Sequence, residues 1–143
     1  MVPVLMEYIM RFYEPKHFKP QEFLPPNVYS LMVMDPRILW TLDALRAFFG
    51  RPLTINNWHS GGQFQQRGFR NDPGTGAPLS QHRFGRACDF DIYGTPASKF
   101  RELAKAGTLY HELTYITRIE ENTNWCHIDC AAVPGTEIIF FKP

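Results

Sequence analysis

Three residue groups combine types that can do chemistry together. The first is Ser80-Gln81-His82-Arg83-Phe84-Gly85-Arg86-Ala87-Cys88-Asp89, and the second is Trp125-Cys126-His127-Ile128-Asp129. The third is the pair Glu120-Glu121, just ahead of the second. His82 precedes a turn that Gly85 permits, and Asp89 follows it in RACDFDIYG (86–94), a run with strand pattern. Side chains alternate along a strand, so Ala87, Asp89 and Asp91 share one face and Cys88, Phe90 and Ile92 the other. On the later run Trp125, His127 and Asp129 share a face, opposite Cys126, Ile128 and Cys130. Two histidines and one carboxylate converging from neighbouring strands make a three-ligand zinc set: His82, Asp89 and His127. One tetrahedral position stays open for water. Such an ion lowers the pKa of water to about 7 in the most favourable cases and polarises a carbonyl, which is the chemistry of amide hydrolysis.

A hydrolase of this kind also needs a general base. Glu120 and Glu121 end one strand candidate and Trp125 begins the next. A connecting turn of two or four residues puts Glu120 opposite Trp125 and on the ligand face. A turn of three puts Glu121 there. Spacing leaves both open. The three cysteines, Cys88, Cys126 and Cys130, fall on the faces opposite the His and Asp side chains and read as small apolar core residues. Their odd number speaks against a disulfide framework and for a reducing compartment. Asp91 and Asp129 are candidates to orient a ligand histidine from behind. His17, His59 and His111 read as structural.

The elements that position these groups are legible in outline. Asp35 as N-cap, Pro36 at the first position and Gly50 as stop bound a helix over 36–49, with Leu39, Leu42, Leu45 and Phe49 at helical spacing. A second helix is expected from Thr95 as N-cap and Pro96 at its first position to Gly107 as stop. Strand candidates are PLTIN (52–56), 86–94, 113–121, 125–131 and 137–141. The sum is an α+β domain, residues 1–143, with its strands concentrated toward the C-terminal end. Residues 1–30, aromatic and proline-rich with Phe18, Phe23, Pro25 and Pro26, read as an irregular arm packed over the domain. The stretch 57–81, rich in Gly, Gln, Arg and Asn, is a long loop of the kind that is usually functional or mobile.

The Ser80–Asp89 segment resembles SxHxxGxAxD, the zinc motif of the M15 metallopeptidases, which include D-Ala-D-Ala carboxypeptidases and dipeptidases and phage endolysins. Trp125-x-His127 is similar to that family's second histidine motif, and the resemblance spans roughly 52–131. It implies zinc on His82, Asp89 and His127, with a glutamate shortly before the last histidine as base. In the family this glutamate often follows a short hydrophobic strand, as Glu120 follows Arg118-Ile119, which favours Glu120; some members place it where Glu121 stands. The resemblance further implies a small antiparallel sheet flanked by helices, as in the hedgehog signalling domain. In many members an SGYR-like segment supplies an arginine that holds a substrate carboxylate. Here Trp58-His59-Ser60-Gly61 stands in its place, and Arg67 and Arg70 are the substitutes. Residues 67–86 carry four arginines against one acid, Asp72, a rim suited to peptides with free carboxylates. Ser80 and Trp125 complete the candidate substrate contacts.

Composition narrows the classes further. At 143 residues and 44% hydrophobic the chain can build one core. A net charge of +1 gives no bulk field for nucleic acid. No stretch approaches the roughly 18 to 20 apolar residues that cross a bilayer. The start, MVPVLMEYIM, has no basic n-region, so synthesis in the cytoplasm without a signal peptide is expected; the family resemblance implies action at the bacterial wall after release. The expectation is a monomeric zinc peptidase acting on peptidoglycan stem peptides, as a D,D-carboxypeptidase or endopeptidase and in the manner of a phage lytic enzyme. The alternative is a zinc-containing, non-catalytic binding module or virion component of the same fold.

Overall fold

The computed structural model describes residues 12–143. The first helix, α1 (Pro36–Phe49), begins where the Asp35 carboxylate accepts the Arg37 N–H at 2.9 Å. It ends at Gly50, whose φ of 61° is the left-handed conformation a helix stop uses. Ile38, Leu39, Leu42 and Leu45 on its inner face are buried, each contributing roughly 1.5–3 kcal/mol by leaving water. Asp35 also takes both arms of the Arg37 guanidinium. Burial would raise its carboxyl pKa, but these bonds hold it below the usual value. Its stabilisation is therefore present above about pH 4, the unfolded value, and is lost as pH falls through the depressed folded value. Asp35→Ala is expected to cost about 1 kcal/mol in urea unfolding at pH 7.

The sheet has five strands in the order β1-β2-β4-β3-β5: β1 (Leu53–Thr54), β2 (Ala87–Ile92), β3 (Arg118–Glu120), β4 (Cys126–Asp129) and β5 (Ile139–Phe141). All neighbours pair antiparallel except β3 and β5, which are parallel. The sheet is thus mixed, which corrects the all-antiparallel expectation; β5 returns to the far side of β3 and cannot run as a hairpin partner of β4. One face carries Cys88, Phe90, Ile119, Cys126 and Ile128 into the core against α1 and against α2 (Ala97–Lys105), whose Phe100 meets Phe90 edge-on at 5.5 Å. The three cysteines are free and buried. The other face presents Asp89, His127, Asp129, Arg118 and Glu120.

All five strands are shorter than the runs expected for them, and the start of the second helix is displaced. Helix α2 starts one residue late, with Pro96 in the cap position and the Thr95 N–H donating to the Ile92 carbonyl. The expected strand 113–121 shrinks to β3. Residues 107–115 run instead as consecutive turns that bury Leu109 and Leu113. Of the N-terminal arm, residues 1–11 lie outside the described residues. From Phe12 to Asp35 the chain has only short 3-10 turns, Pro20–Glu22 and Leu31–Val33. It buries Phe18, Phe23 and Leu24, and Asp43 of α1 pins it through the Tyr13 hydroxyl and the N–H groups of Lys16 and His17. Among the described residues no helix is long and apolar enough to cross a membrane.

Candidate active site

The site is assembled by register. Asp89 of β2 stands directly opposite His127 of β4, and Arg118 of β3 stands opposite Asp129. His82 comes from a 3-10 turn, Gln81–Phe84, that leads into β2. Ser80 caps that turn by accepting the His82 N–H at 3.4 Å, so the structure gives its hydroxyl a positioning contact. Gly85 closes the turn at φ 69°, and a Cβ there would lie 1.8 Å from the Val33 carbonyl oxygen. Only glycine fits both the conformation and the close approach.

Three atoms converge on the polar face of the sheet. His82 Nε2 lies 3.3 Å and His127 Nδ1 2.8 Å from Asp89 Oδ1, and ligand-capable atoms of all three residues fall within 4.8 Å of one another. All three side chains are buried. Among the described residues this is the one group of His, Cys, Asp and Glu placed to share a metal ion, and no cysteine enters it. The rings are fixed from behind. His82 Nδ1 is 2.9 Å from the Gly68 carbonyl, which can only accept, so Nδ1 donates there and Nε2 is the nitrogen that faces the cluster. Gly68 reaches that position by packing on Phe23, where a Cβ would sit 2.3 Å from the Phe23 carbonyl oxygen.

His127 is held the other way round. Its Nε2 lies 2.9 Å from Asp129 Oδ2, and Asp129 also receives the Arg118 guanidinium at 2.9 and 2.8 Å and the Ala131 N–H at 3.2 Å. A carboxylate so surrounded by donors is ionised and can only accept, so Nε2 donates and Nδ1 turns toward Asp89. Burial alone would lower the His127 pKa, but the hydrogen bonds to Asp129 and Asp89 outweigh it and hold it up to about 9. Burial would likewise raise Asp89; the His82 charge and the histidine hydrogen bonds hold it well below the usual carboxylate range. The donor set, two imidazole nitrogens and one carboxylate, each with its far side occupied, fits a zinc ion.

A Peptidase M15 family model matches residues 16–129, most of the chain and all three residues of the cluster. The chain belongs to the M15 peptidase family. No curated protein and no solved structure gives a significant match. Metallopeptidase chemistry follows at the level of the family, and with it a peptide substrate.

The cluster also separates the two glutamates. Five residues, 121–125, separate β3 from β4, more than the two to four expected. Because Arg118 opposes Asp129 and Ile119 opposes Ile128, the register carries Glu120 to His127 rather than to Trp125. Glu120 Oε2 lies 3.8 Å from His127 Nδ1, with its side chain 14% exposed. Burial pushes its carboxyl pKa up, the His127 charge opposes that, and Asp89 adds to it. Glu121 points away and pairs with Lys105 on α2, which lowers its pKa.

The remaining candidates divide. The Arg70 guanidinium sits 3.6 Å from Asp89 Oδ2, an ion pair too long for a hydrogen bond, with its Nε donating to the Gln66 carbonyl. Arg67 is engaged with Asp91 at 3.1 Å and faces the Thr54 and Ile55 carbonyls. Its own carbonyl accepts the Asp89 N–H at 2.7 Å, so the loop completes the edge of β2 that β1 leaves open. Trp125, just before β4, is 37% exposed. Trp58 donates its indole N–H to the Leu24 carbonyl. His17, His59 and His111 stay outside the cluster. Arg118 and Phe141, both touching the His127 environment, escaped the sequence reading. Nothing local distinguishes an arginine two residues before a glutamate, or a phenylalanine near the C-terminus, until the register is known.

Proposed function

We propose that this M15 peptidase is a zinc enzyme hydrolysing an amide bond in a peptidoglycan stem peptide, with His82 Nε2, Asp89 and His127 Nδ1 holding the ion. The observation that carries this reading is the convergence of those three donors with the Glu120 carboxylate beside them. When bound, zinc supplies Lewis acidity toward a scissile carbonyl and acidifies water. Glu120 Oε2 accepts the proton of the attacking water and returns it to the leaving amine, a task its half-buried, upshifted carboxyl suits. Asp129 and the Gly68 carbonyl keep the two imidazoles in the tautomers that present lone pairs to the ion.

Arg70 takes the carboxylate of the peptide. Arg67 is committed to Asp91, whereas Arg70 stands at the cluster in an ion pair too long for a hydrogen bond, and a guanidinium grips a carboxylate through paired N–H groups. Trp125, exposed just before β4, forms a wall for the peptide. Peptidoglycan as the substrate rests on the resemblance of the Ser80–Asp89 motif to enzymes that act on such peptides. Endolysin-like action at the wall rests on it too.

The test pairs metal content with turnover. The protein, purified without added metal, is expected to carry about one zinc per chain. Incubated with purified peptidoglycan, it should release defined fragments with new amino groups, detected by mass spectrometry and abolished by a chelator. One zinc per chain with no release from several wall chemistries would replace this reading with a binding module of the same fold.

A further inference from the structure

We propose that Arg118 and Phe141 are positioning residues for His127, and that the C-terminal strand β5 is thereby part of the metal site although it lies beyond the family match, which ends at Asp129. The inference rests on the zinc reading given above. Two contacts carry it. The Phe141 ring meets the His127 ring edge-on, with centroids 5.6 Å apart at 85°. The Arg118 guanidinium lies over the same Phe141 ring at 4.5 Å while its nitrogens grip Asp129 at 2.9 and 2.8 Å. Phe141 thus confines the imidazole from the side while Arg118 and Asp129 hold its Nε2 from behind.

The geometry matters because an imidazole free to turn about its outer bond offers either nitrogen to a metal. Here Asp129 has no exposure to water, so a broken His127–Asp129 bond has no solvent bond to replace it. Arg118, with two nitrogens on Asp129, keeps that carboxylate ionised and in place; Phe141 stands edge-on against the ring. The same strand ties down the residue beside the base. The Phe141 carbonyl accepts the Glu121 N–H at 2.6 Å, and the parallel register sets Phe141 against Glu120. Phe140, the neighbour on the opposite face of β5, packs toward the core and under Lys105, away from the cluster.

That alternation supplies the control. Phe141→Ala, Phe141→Tyr, Arg118→Gln, Arg118→Lys and Phe140→Ala are made in the full chain. Zinc affinity is measured at fixed pH by competition with a chromophoric chelator, and the His127 Nε2–H is followed by 15N NMR in the zinc-loaded protein. Phe141→Ala and Arg118→Gln should weaken zinc binding by about 10- to 100-fold and broaden or shift the Nε2–H signal, as loss of groups behind a ligand does. Phe141→Tyr and Arg118→Lys should recover most and part of the affinity, respectively. Phe140→Ala should lower thermal stability while changing affinity less than about twofold, the expectation for a group that does not touch the ligand. Equal losses from Phe140→Ala and Phe141→Ala would make β5 a general brace and overturn the proposal. Wild-type affinity in Phe141→Ala and Arg118→Gln would overturn it as well, leaving the zinc reading intact. A wild-type chain that takes up no zinc would overturn the zinc reading itself, and with it this one.

Discussion

His82→Ala and His127→Ala are expected to purify without stoichiometric zinc and to lose the stabilisation that zinc gives the wild type. Each removes one of three donors from a cluster whose members are at most 8% exposed, so no solvent-facing side chain stands ready to replace it. The size of the effect follows from linkage. A ligand at 100 times its dissociation constant stabilises the folded state by about 2.7 kcal/mol, and that increment vanishes when binding does. The two variants should differ when no metal is added. His82→Ala leaves the Gly68 carbonyl without its partner, a cost of about 1–3 kcal/mol. His127→Ala strips a hydrogen bond from both Asp89 and Asp129, two buried carboxylates. Arg118 still pairs Asp129, and Arg70 stands near Asp89, so the penalty falls below that of a bare buried charge but above the His82 cost. Thermal unfolding with zinc and with chelator separates the terms: wild type should respond to zinc and neither variant should. Unchanged zinc content in either would sink the ligand assignment.

The parts of the molecule that were legible in the sequence are those set by local period. Alternation along 87–92 and 125–129 placed Asp89 and His127 on one face and the cysteines on the other, and the sheet has them so. Capping chemistry bounded α1 to the residue, because Asp35, Pro36 and Gly50 act on their own neighbours. What spacing left open was non-local. Which glutamate faces His127 depends on the parity of the β3–β4 pairing, which the residues between them do not encode. The parallel return of β5 depends on a contact with β3 rather than with its predecessor β4. Thr114, Tyr115, Ile116 and Thr117 have strand propensity, yet Leu109, Leu113 and Ile116 find burial through turns, so packing overrode it. Arg118 had no signal of its own, because its importance is a distance to Asp129.

Glu120→Gln is expected to keep zinc and to lose turnover by about 10²- to 10⁴-fold, the usual contribution of a positioned general base. The substitution preserves size and hydrogen-bonding reach and removes only the capacity to take a proton. Glu120 is suited to that capacity by position: Oε2 is 3.8 Å from His127 Nδ1, close enough to face the cluster and too far to be its hydrogen-bonded partner. Burial and the neighbouring Asp89 charge raise its carboxyl pKa, partly offset by His127, which brings it nearer to neutral pH than a solvated glutamate. Glu121→Gln serves as the matched comparison one residue away. Its carboxylate pairs with Lys105 on the outer side of the β3–β4 connection, so turnover should change by less than about twofold. The measurement is turnover on peptidoglycan fragments alongside bound zinc for both variants. If Glu121→Gln is the inactive one, the register argument for the base fails. If Glu120→Gln loses zinc and activity together, Glu120 belongs among the ligands, and proton transfer must be assigned elsewhere on the same face.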